Sequence, residues 1–139
     1  MARVQVDRTA ILRAARRAAR EELEIGMRQA QARAKILAPV DTGRLRSSIR
    51  YTITDRALGV TADLRSDVSY AEYVHDGTQP HIIRPRRRGG VLRFRAGGQI
   101  VYARFVRHPG TRARPFLTEA IRSVAAARGW RVRGGIRLQ

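Results

Sequence analysis

Near the amino terminus, apolar residues recur at steps of three, four and seven, which predicts a long amphipathic helix over about residues 7–38. Asp7 and Thr9 are candidate N-caps, and Pro39 ends the helix. About 30 residues at a rise of ~1.5 Å span about 45 Å, so we expect one stripe in the core and another against a second subunit. At Gly26 we expect a kink or a close contact. The predicted core stripe consists of Leu12, Ala19, Leu23, Met27, Ala30, Ala34 and Leu37.

After Pro39 the pattern changes to the alternation that is typical of strands. The predicted elements are a hairpin of residues 50–54 and 59–64 around a turn at 55–58, a helical turn over 70–74, a hairpin of residues 91–94 and 100–106 around Gly97-Gly98, and a helix from Pro115 to Gly129. This order predicts an α+β fold in a single domain, residues 1–139. The long amino-terminal helix and the carboxy-terminal helix are expected to pack on one face of an antiparallel sheet of about four strands.

Two segments are too polar for the core, and we expect them to be mobile or ordered by partners. The first is a basic loop at about residues 84–90, which contains four arginines and two glycines. The second is the tail, residues 129–139, in which Trp130 and other apolar residues alternate with arginine. The tail has two interpretations: a frayed terminus, or a strand that adds to the sheet of a neighbour.

The charge is strongly positive, with 29 basic and 11 acidic residues and a formal net charge of +18. Lys35 is the only lysine, so nearly every cation is an arginine, whose planar fork suits phosphate and carboxylate. A GC-rich genome or a subunit interface also enriches arginine. No nucleic-acid-reading motif is present. Passive contact with DNA and a surface matched to an acidic partner both stay open.

The candidates for catalytic or metal chemistry are few. There is no cysteine, and the spacing of His75, His81 and His108 fits no zinc motif. Glu72, His75 and Asp76 could form an acid–base cluster, although Asp76-Gly77 is ordinary turn chemistry. We therefore expect no enzyme, no catalytic residue, no metal and no cofactor. No apolar run approaches the ~18 residues of a membrane helix, and no signal-peptide core is present, so we expect a protein without a membrane partner.

Three stretches together resemble the lambdoid gene-product-ten family of phage morphogenesis proteins. They are residues 38–49, with Asp41-Thr42-Gly43-Arg44; residues 70–85, with Tyr70, Tyr73, His75, Gly77 and Thr78; and residues 108–117, with Arg112, Arg114, Pro115 and Phe116. The resemblance covers about residues 30–126. The family is described as head–tail connector, tail-completion or minor tail components.

The resemblance implies a structural virion protein, a ring-forming neck component that joins head to tail and is assembled in the host cytoplasm. The alternative within phages is the tail terminator ring that caps the tail tube. The implied partners are copies of the chain in a sixfold or twelvefold ring, the neighbouring head-stopper and tail-terminator rings, the tail tube, and genomic DNA that passes without sequence recognition. Outside this class, the charge alone supports a basic nucleic-acid-binding protein, and a small hydrolase or nuclease would need a clustered acidic site.

The motif residues are predicted to be structural pivots and partner contacts. Asp41 is expected to cap a short helix over residues 45–48, and Gly77 to adopt a positive φ. Tyr70 and Tyr73 are expected to pack together under the sheet edge. The predicted subunit or partner contacts are Asp41, Thr42, Gly43, Arg44, Tyr70, Tyr73, His75, Gly77, Thr78, Arg86, Arg87, Arg88, Arg112, Arg114, Pro115, Phe116 and Trp130.

Overall fold

The computed structural model describes residues 5, 7–57 and 59–132. Their backbone forms two compact units. The helical unit contains the chain up to Ala71 and again from Pro115, and the inserted unit is Glu72–Arg114. The elements in chain order are α1 (Arg8–Leu37), α2 (Arg44–Ser48), β1 (Ile49–Arg56), β2 (Gly59–Ser66), α3 (Ala71–Asp76), β3 (His81–Ile83), β4 (Leu92–Ala96), β5 (Gln99–Ala103), β6 (Val106–His108) and α4 (Phe116–Arg128).

The bounds of α1 agree with the sequence prediction, and their causes are local. The Asp7 carboxylate accepts hydrogen bonds from the backbone N–H groups of Thr9 and Ala10, at 2.9 and 3.1 Å, which satisfies two of the unpaired donors of the first turn. At the other end Ala38 is extended, with ψ 130°, as the residue before a proline prefers. At the end of α4, Gly129 adopts the left-handed conformation, with φ 67°.

The core of the helical unit lies where α1, α4 and the β1–β2 hairpin meet. Phe116, Ile49 and Leu117 are its largest fully buried side chains. From α1, only the carboxy-terminal half contributes buried residues. The Gln31 amide donates to the Ile49 carbonyl at 2.8 Å and so joins α1 to the start of β1. The other buried apolar residues are Met27, Ala30, Ala34, Ala38, Leu45, Leu64, Ala71, Ala120, Val124 and Ala125.

The predicted core stripe of α1 is correct for its second half and wrong for its first. Met27, Ala30 and Ala34 are buried, whereas Leu12 is 67% exposed and Ala19 is exposed. Every residue of α1 before Leu23 is exposed. In the described structure, the first four turns of α1 therefore continue beyond the helical core, and the periodic pattern alone does not show where burial ends.

The α+β class is confirmed, but the strands form three two-stranded antiparallel sheets instead of one sheet of about four strands. The pairs are β1–β2, β4–β5 and β3–β6. The first two are the predicted hairpins. The third pair was missed because each of its strands has three residues, too few for a visible alternation. The predicted strand over residues 100–106 is divided, since β5 ends at Ala103 and β6 begins at Val106.

The inserted unit contains the β4–β5 hairpin and the β3–β6 pair. Gly97 and Gly98 have φ values of 58° and 82°, the two positive values that a tight type I′ hairpin turn requires. Across the hairpin Phe94 pairs with Val101, and Arg93 pairs with Tyr102. None of the helices in the described ranges is long and apolar enough to span a bilayer.

Candidate interaction surfaces

The exposed side of α1 carries a second apolar stripe, apart from the buried one. We call it the outer stripe; it consists of Ile11, Ala18, Ile25, Ala32 and Ile36. The first four members are seven residues apart, so they share one side of the helix. Ile11, Ile25 and Ile36 are 57, 50 and 71% exposed. An exposed apolar row that runs along a helix in this way is typical of a subunit contact.

The amino-terminal half of α1 is held by polar contacts to the β1–β2 hairpin. The Arg16 guanidinium donates to the Ala57 carbonyl at 2.7 Å, and Arg20 pairs with Asp55 at 2.9 Å. In the second half, hydrogen bonding to the Tyr51 hydroxyl, and then to the Glu24 carboxylate, raises the pKa of the Arg28 guanidinium above its ordinary value. These contacts fix one side of α1 against β1 and leave the outer stripe uncovered.

Trp130 packs on α1 of its own chain. A Cβ atom built on Gly26 would overlap the indole ring, so the ring rests directly on the helix backbone. Arg128 stands next to it, with its guanidinium 5.7 Å from the ring centroid, and donates to Glu22 at 2.5 Å and to Gln29 at 3.1 Å. The predicted close contact at Gly26 is therefore present. The rest of the predicted tail, residues 133–139, lies outside the described residues.

The first motif forms the turn between α1 and α2, but the predicted cap is wrong. α2 begins after Gly43, which is left-handed at φ 80°, and no side chain caps it. Instead of an Asp41 cap, the Thr42 hydroxyl accepts a long hydrogen bond from the Arg44 N–H, at 3.4 Å. Asp41, Thr42 and Arg44 are exposed, which leaves their side chains available to a neighbour.

The second and third motifs meet in the inserted unit, although about thirty residues separate them. Thr78 and Thr111 exchange backbone hydrogen bonds at 3.0 and 3.1 Å, and the Arg114 N–H donates to the Val74 carbonyl at 3.0 Å. The two backbones are so close that a Cβ on Gly77 would lie 2.5 Å from the Thr111 carbonyl oxygen. The predicted positive φ of Gly77, 75°, is confirmed. This crossing is the physical reason for glycine in the motif.

The predicted tyrosine packing is wrong, and two predicted contact residues lie in the interior. Tyr70 and Tyr73 are 39 and 60% exposed, so no sheet edge covers them. His75 is 6% exposed, and its Nδ1 lies 2.6 Å from the Asp76 carboxylate. Phe116 is buried in the helical core directly after Pro115, which precedes α4. We therefore assign His75 and Phe116 a structural role inside the protein instead of a contact with a partner.

The histidines and carboxylates do not assemble into a metal site in the part of the chain that the structure describes. The rings of His81 and His108 lie 5.0 Å apart across the β3–β6 pair. His108 Nδ1 accepts from the Gly110 N–H at 3.1 Å, and His81 Nδ1 donates to the Gln79 carbonyl at 2.8 Å. Both rings are therefore engaged by local backbone groups, and Glu72 is exposed.

Arginine and carboxylate are unequally distributed between the two units. Residues 77–114 contain ten arginines and no Asp or Glu. All ten are exposed, and none forms an ion pair with a residue that the structure describes. We call them the basic surface: Arg84, Arg86, Arg87, Arg88, Arg93, Arg95, Arg104, Arg107, Arg112 and Arg114. Five of these belong to the predicted contact residues, and the lack of nearby carboxylates in the sequence is the signal for the rest.

Residues 3–77 match the model of a protein family described as "Bacteriophage HK97-gp10, putative tail-component". The matched stretch is more than half of the chain and contains α1, α2, the β1–β2 hairpin and α3. It confirms the family inferred from the motifs and extends over the whole of α1; it contains the first motif and residues 70–77 of the second, and the third motif lies outside it. No curated protein and no solved structure matches the chain.

Proposed function

Because this chain belongs to the HK97-gp10-like family of bacteriophage tail components, we propose that it forms a ring in the neck of the virion. There it completes the tail and joins it to the head. Membership of the family supports a structural tail component of the virion, and we expect no enzymatic activity. Such a protein acts through repeated contacts between subunits and not through bond chemistry.

The outer stripe of α1 is the observation that carries this proposal. Ile11, Ile25 and Ile36 are 57, 50 and 71% exposed, and at Ile25 and Ile36 the other face of the same helix is already packed in the core. Full burial of an isoleucine side chain is worth ~1.5–3 kcal/mol, so covering the exposed part of each contributes roughly 1 kcal/mol to association. The three residues together contribute roughly 3 kcal/mol, which is one part of what a stable subunit contact needs.

We propose copies of the same chain as the first partner, in a ring of sixfold or twelvefold symmetry. The head-stopper and tail-terminator rings and the tail tube are the proposed neighbours above and below. Genomic DNA would pass along the ring axis without being read. The exposed members of the predicted contact set suit these roles: the turn at residues 41–44, Tyr70, Tyr73, Arg86, Arg87, Arg88, Arg112 and Arg114.

Cryo-electron microscopy of the neck of the parent virion tests the proposal. We expect a closed ring of this subunit between the head connector and the tail tube, with the outer stripe covered by an adjacent copy. A ring that caps the last layer of the tail tube would assign the chain as the tail terminator instead. A complete neck in which this chain cannot be traced would contradict the proposal.

A further inference from the structure

We propose that the basic surface of the inserted unit binds the phosphate backbone of duplex DNA without reading its sequence. The inference deepens the proposed function and rests on it for the source of the DNA, the genome that passes through the neck. The binding itself is a property of the purified chain. It can therefore succeed or fail independently of where the protein lies in the virion.

Carboxylates are segregated from the arginines of residues 77–114. In the helical unit, carboxylates lie among the arginines and pair with some of them: Arg20 pairs with Asp55, Arg128 with Glu22, and Arg50 with Asp67, whereas Arg33 and others form no ion pair with the described residues. In residues 77–114 no carboxylate is present, and the ten exposed arginines form no ion pair with the described residues. Like charges at this density repel one another, which costs stability unless an anionic partner neutralises them. The arrangement therefore indicates a polyanion.

Two groups of arginines lie at defined places in the inserted unit, one in a turn and one on a hairpin. In the loop after β3, the Gly90 N–H donates to the Arg87 carbonyl at 3.0 Å, and Gly89 has φ 77°. These features close a tight turn that holds Arg88 at its corner, in the loop predicted to be mobile or ordered by partners. The neighbouring Arg86 and Arg87 precede the corner. All three side chains are exposed, and each guanidinium can donate to a phosphate oxygen.

The second group lies on one face of the β4–β5 hairpin. Arg93 and Arg95 are two residues apart, so they share a face, together with their cross-strand partners Tyr102 and Ile100. The opposite face carries the apolar pairs Leu92–Ala103 and Phe94–Val101. The hairpin thus has one cationic and one apolar face. The cationic face suits a polyanion, while the apolar face suits protein.

The choice of DNA over protein follows from composition. Protein interfaces also enrich arginine, but the total charge at their centre is low, whereas interfaces with DNA are much more positively charged. A second copy of this chain matches the basic surface less well than a polyanion does, because each copy carries a net charge of +18. No motif that reads base edges accompanies the arginines. Contact with the phosphate backbone, which is the same at every sequence, is what such a surface supplies.

The test is equilibrium binding of the full chain to a labelled duplex, measured between about 50 and 200 mM salt. The loop variant replaces Arg86, Arg87 and Arg88 by Gln. The matched control replaces Arg33, Arg46 and Arg122 of the helical unit by Gln. These control residues are also exposed and lack an ion pair in the described structure, and both variants lose the same charge.

Each phosphate contact contributes about 0.9 to the slope of log affinity against log salt. We expect the loop variant to lose roughly 2–3 from that slope and the control to keep nearly all of it. Two duplexes of unrelated sequence should bind equally well. The double variant Arg93→Gln, Arg95→Gln should make the slope shallower by about 2.

Three outcomes would overturn the inference. Equal losses in the loop variant and the control would mean that only net charge matters. A strong preference for one of the two duplexes would mean that bases are read. Failure of the wild-type chain to bind DNA, together with binding to polyglutamate, would assign the basic surface to an acidic protein. Circular dichroism of each variant establishes that the fold is retained. None of these outcomes shows whether the chain lies in the neck of the virion.

Discussion

The indole ring of Trp130 lies directly on Gly26, in the middle of α1, where a Cβ atom would overlap the ring. Glycine in the middle of a helix ordinarily costs up to ~1 kcal/mol relative to alanine. Here the lost helix propensity permits Trp130, which follows α4, to pack on the helix backbone. The contact joins the end of the described chain to its first element and explains a glycine that local propensity disfavours.

We expect Gly26→Ala to lower the free energy of unfolding by about 1–3 kcal/mol, since the indole must move to admit the methyl group. In a Trp130→Ala background the same substitution should raise it by up to ~1 kcal/mol, because only helix propensity remains. Denaturant unfolding of the four proteins of this cycle measures both effects. A change of the same sign in both backgrounds would contradict the contact.

Leu117→Ala should lower the free energy of unfolding by about 2–5 kcal/mol, because the Leu117 side chain is fully buried between the elements of the helical core. The matched control is Leu12→Ala, which removes the same atoms from a side chain that is 67% exposed. For Leu12→Ala we expect a change within about 0.5 kcal/mol. A large loss for Leu12→Ala in a monomer would mean that the first half of α1 is packed.

Ile25→Glu should prevent incorporation of the chain into virions without unfolding it, because the substitution places a charge in the proposed subunit contact. Complementation of a phage that lacks this gene, followed by protein analysis of purified particles, measures incorporation. Leu12→Glu is the control, with the same change of charge on the same helix but away from the outer stripe. Incorporation of Ile25→Glu at the wild-type level would remove the outer stripe from the interface.

Gly77→Ala and Gly89→Ala separate backbone strain from overlap in the inserted unit. The two glycines have nearly the same φ, 75° and 77°, but only at Gly77 would a Cβ meet other atoms. For Gly89→Ala we expect a cost of about 1–2 kcal/mol from the left-handed conformation alone. Gly77→Ala should cost more and should increase hydrogen exchange at the Thr78 and Thr111 amides, whose bonds it disturbs. Equal effects of the two substitutions would contradict the close crossing.

The sequence patterns predicted helix limits and turns, because these features depend on residues that are close together in the sequence. The limits of α1 follow from Asp7, which caps the first turn, and from Pro39, which the residue before it accommodates by becoming extended. Gly97-Gly98 determines the β4–β5 turn because both positions need a positive φ. The three motifs were likewise recognised from sequence, and so was the loop that holds part of the basic surface.

Tertiary structure alone decided which of these features meet and which are covered. Periodicity predicted one continuous core stripe, yet burial begins only near Leu23, because α4 and the β1–β2 hairpin pack the second half of α1 most closely. The short strands β3 and β6 pair across more than twenty residues, a contact that three-residue patterns do not encode. Thr78 meets Thr111, and Trp130 meets Gly26, for the same reason. Contacts between distant positions depend on how the whole chain packs, whereas caps and turns depend only on their neighbours.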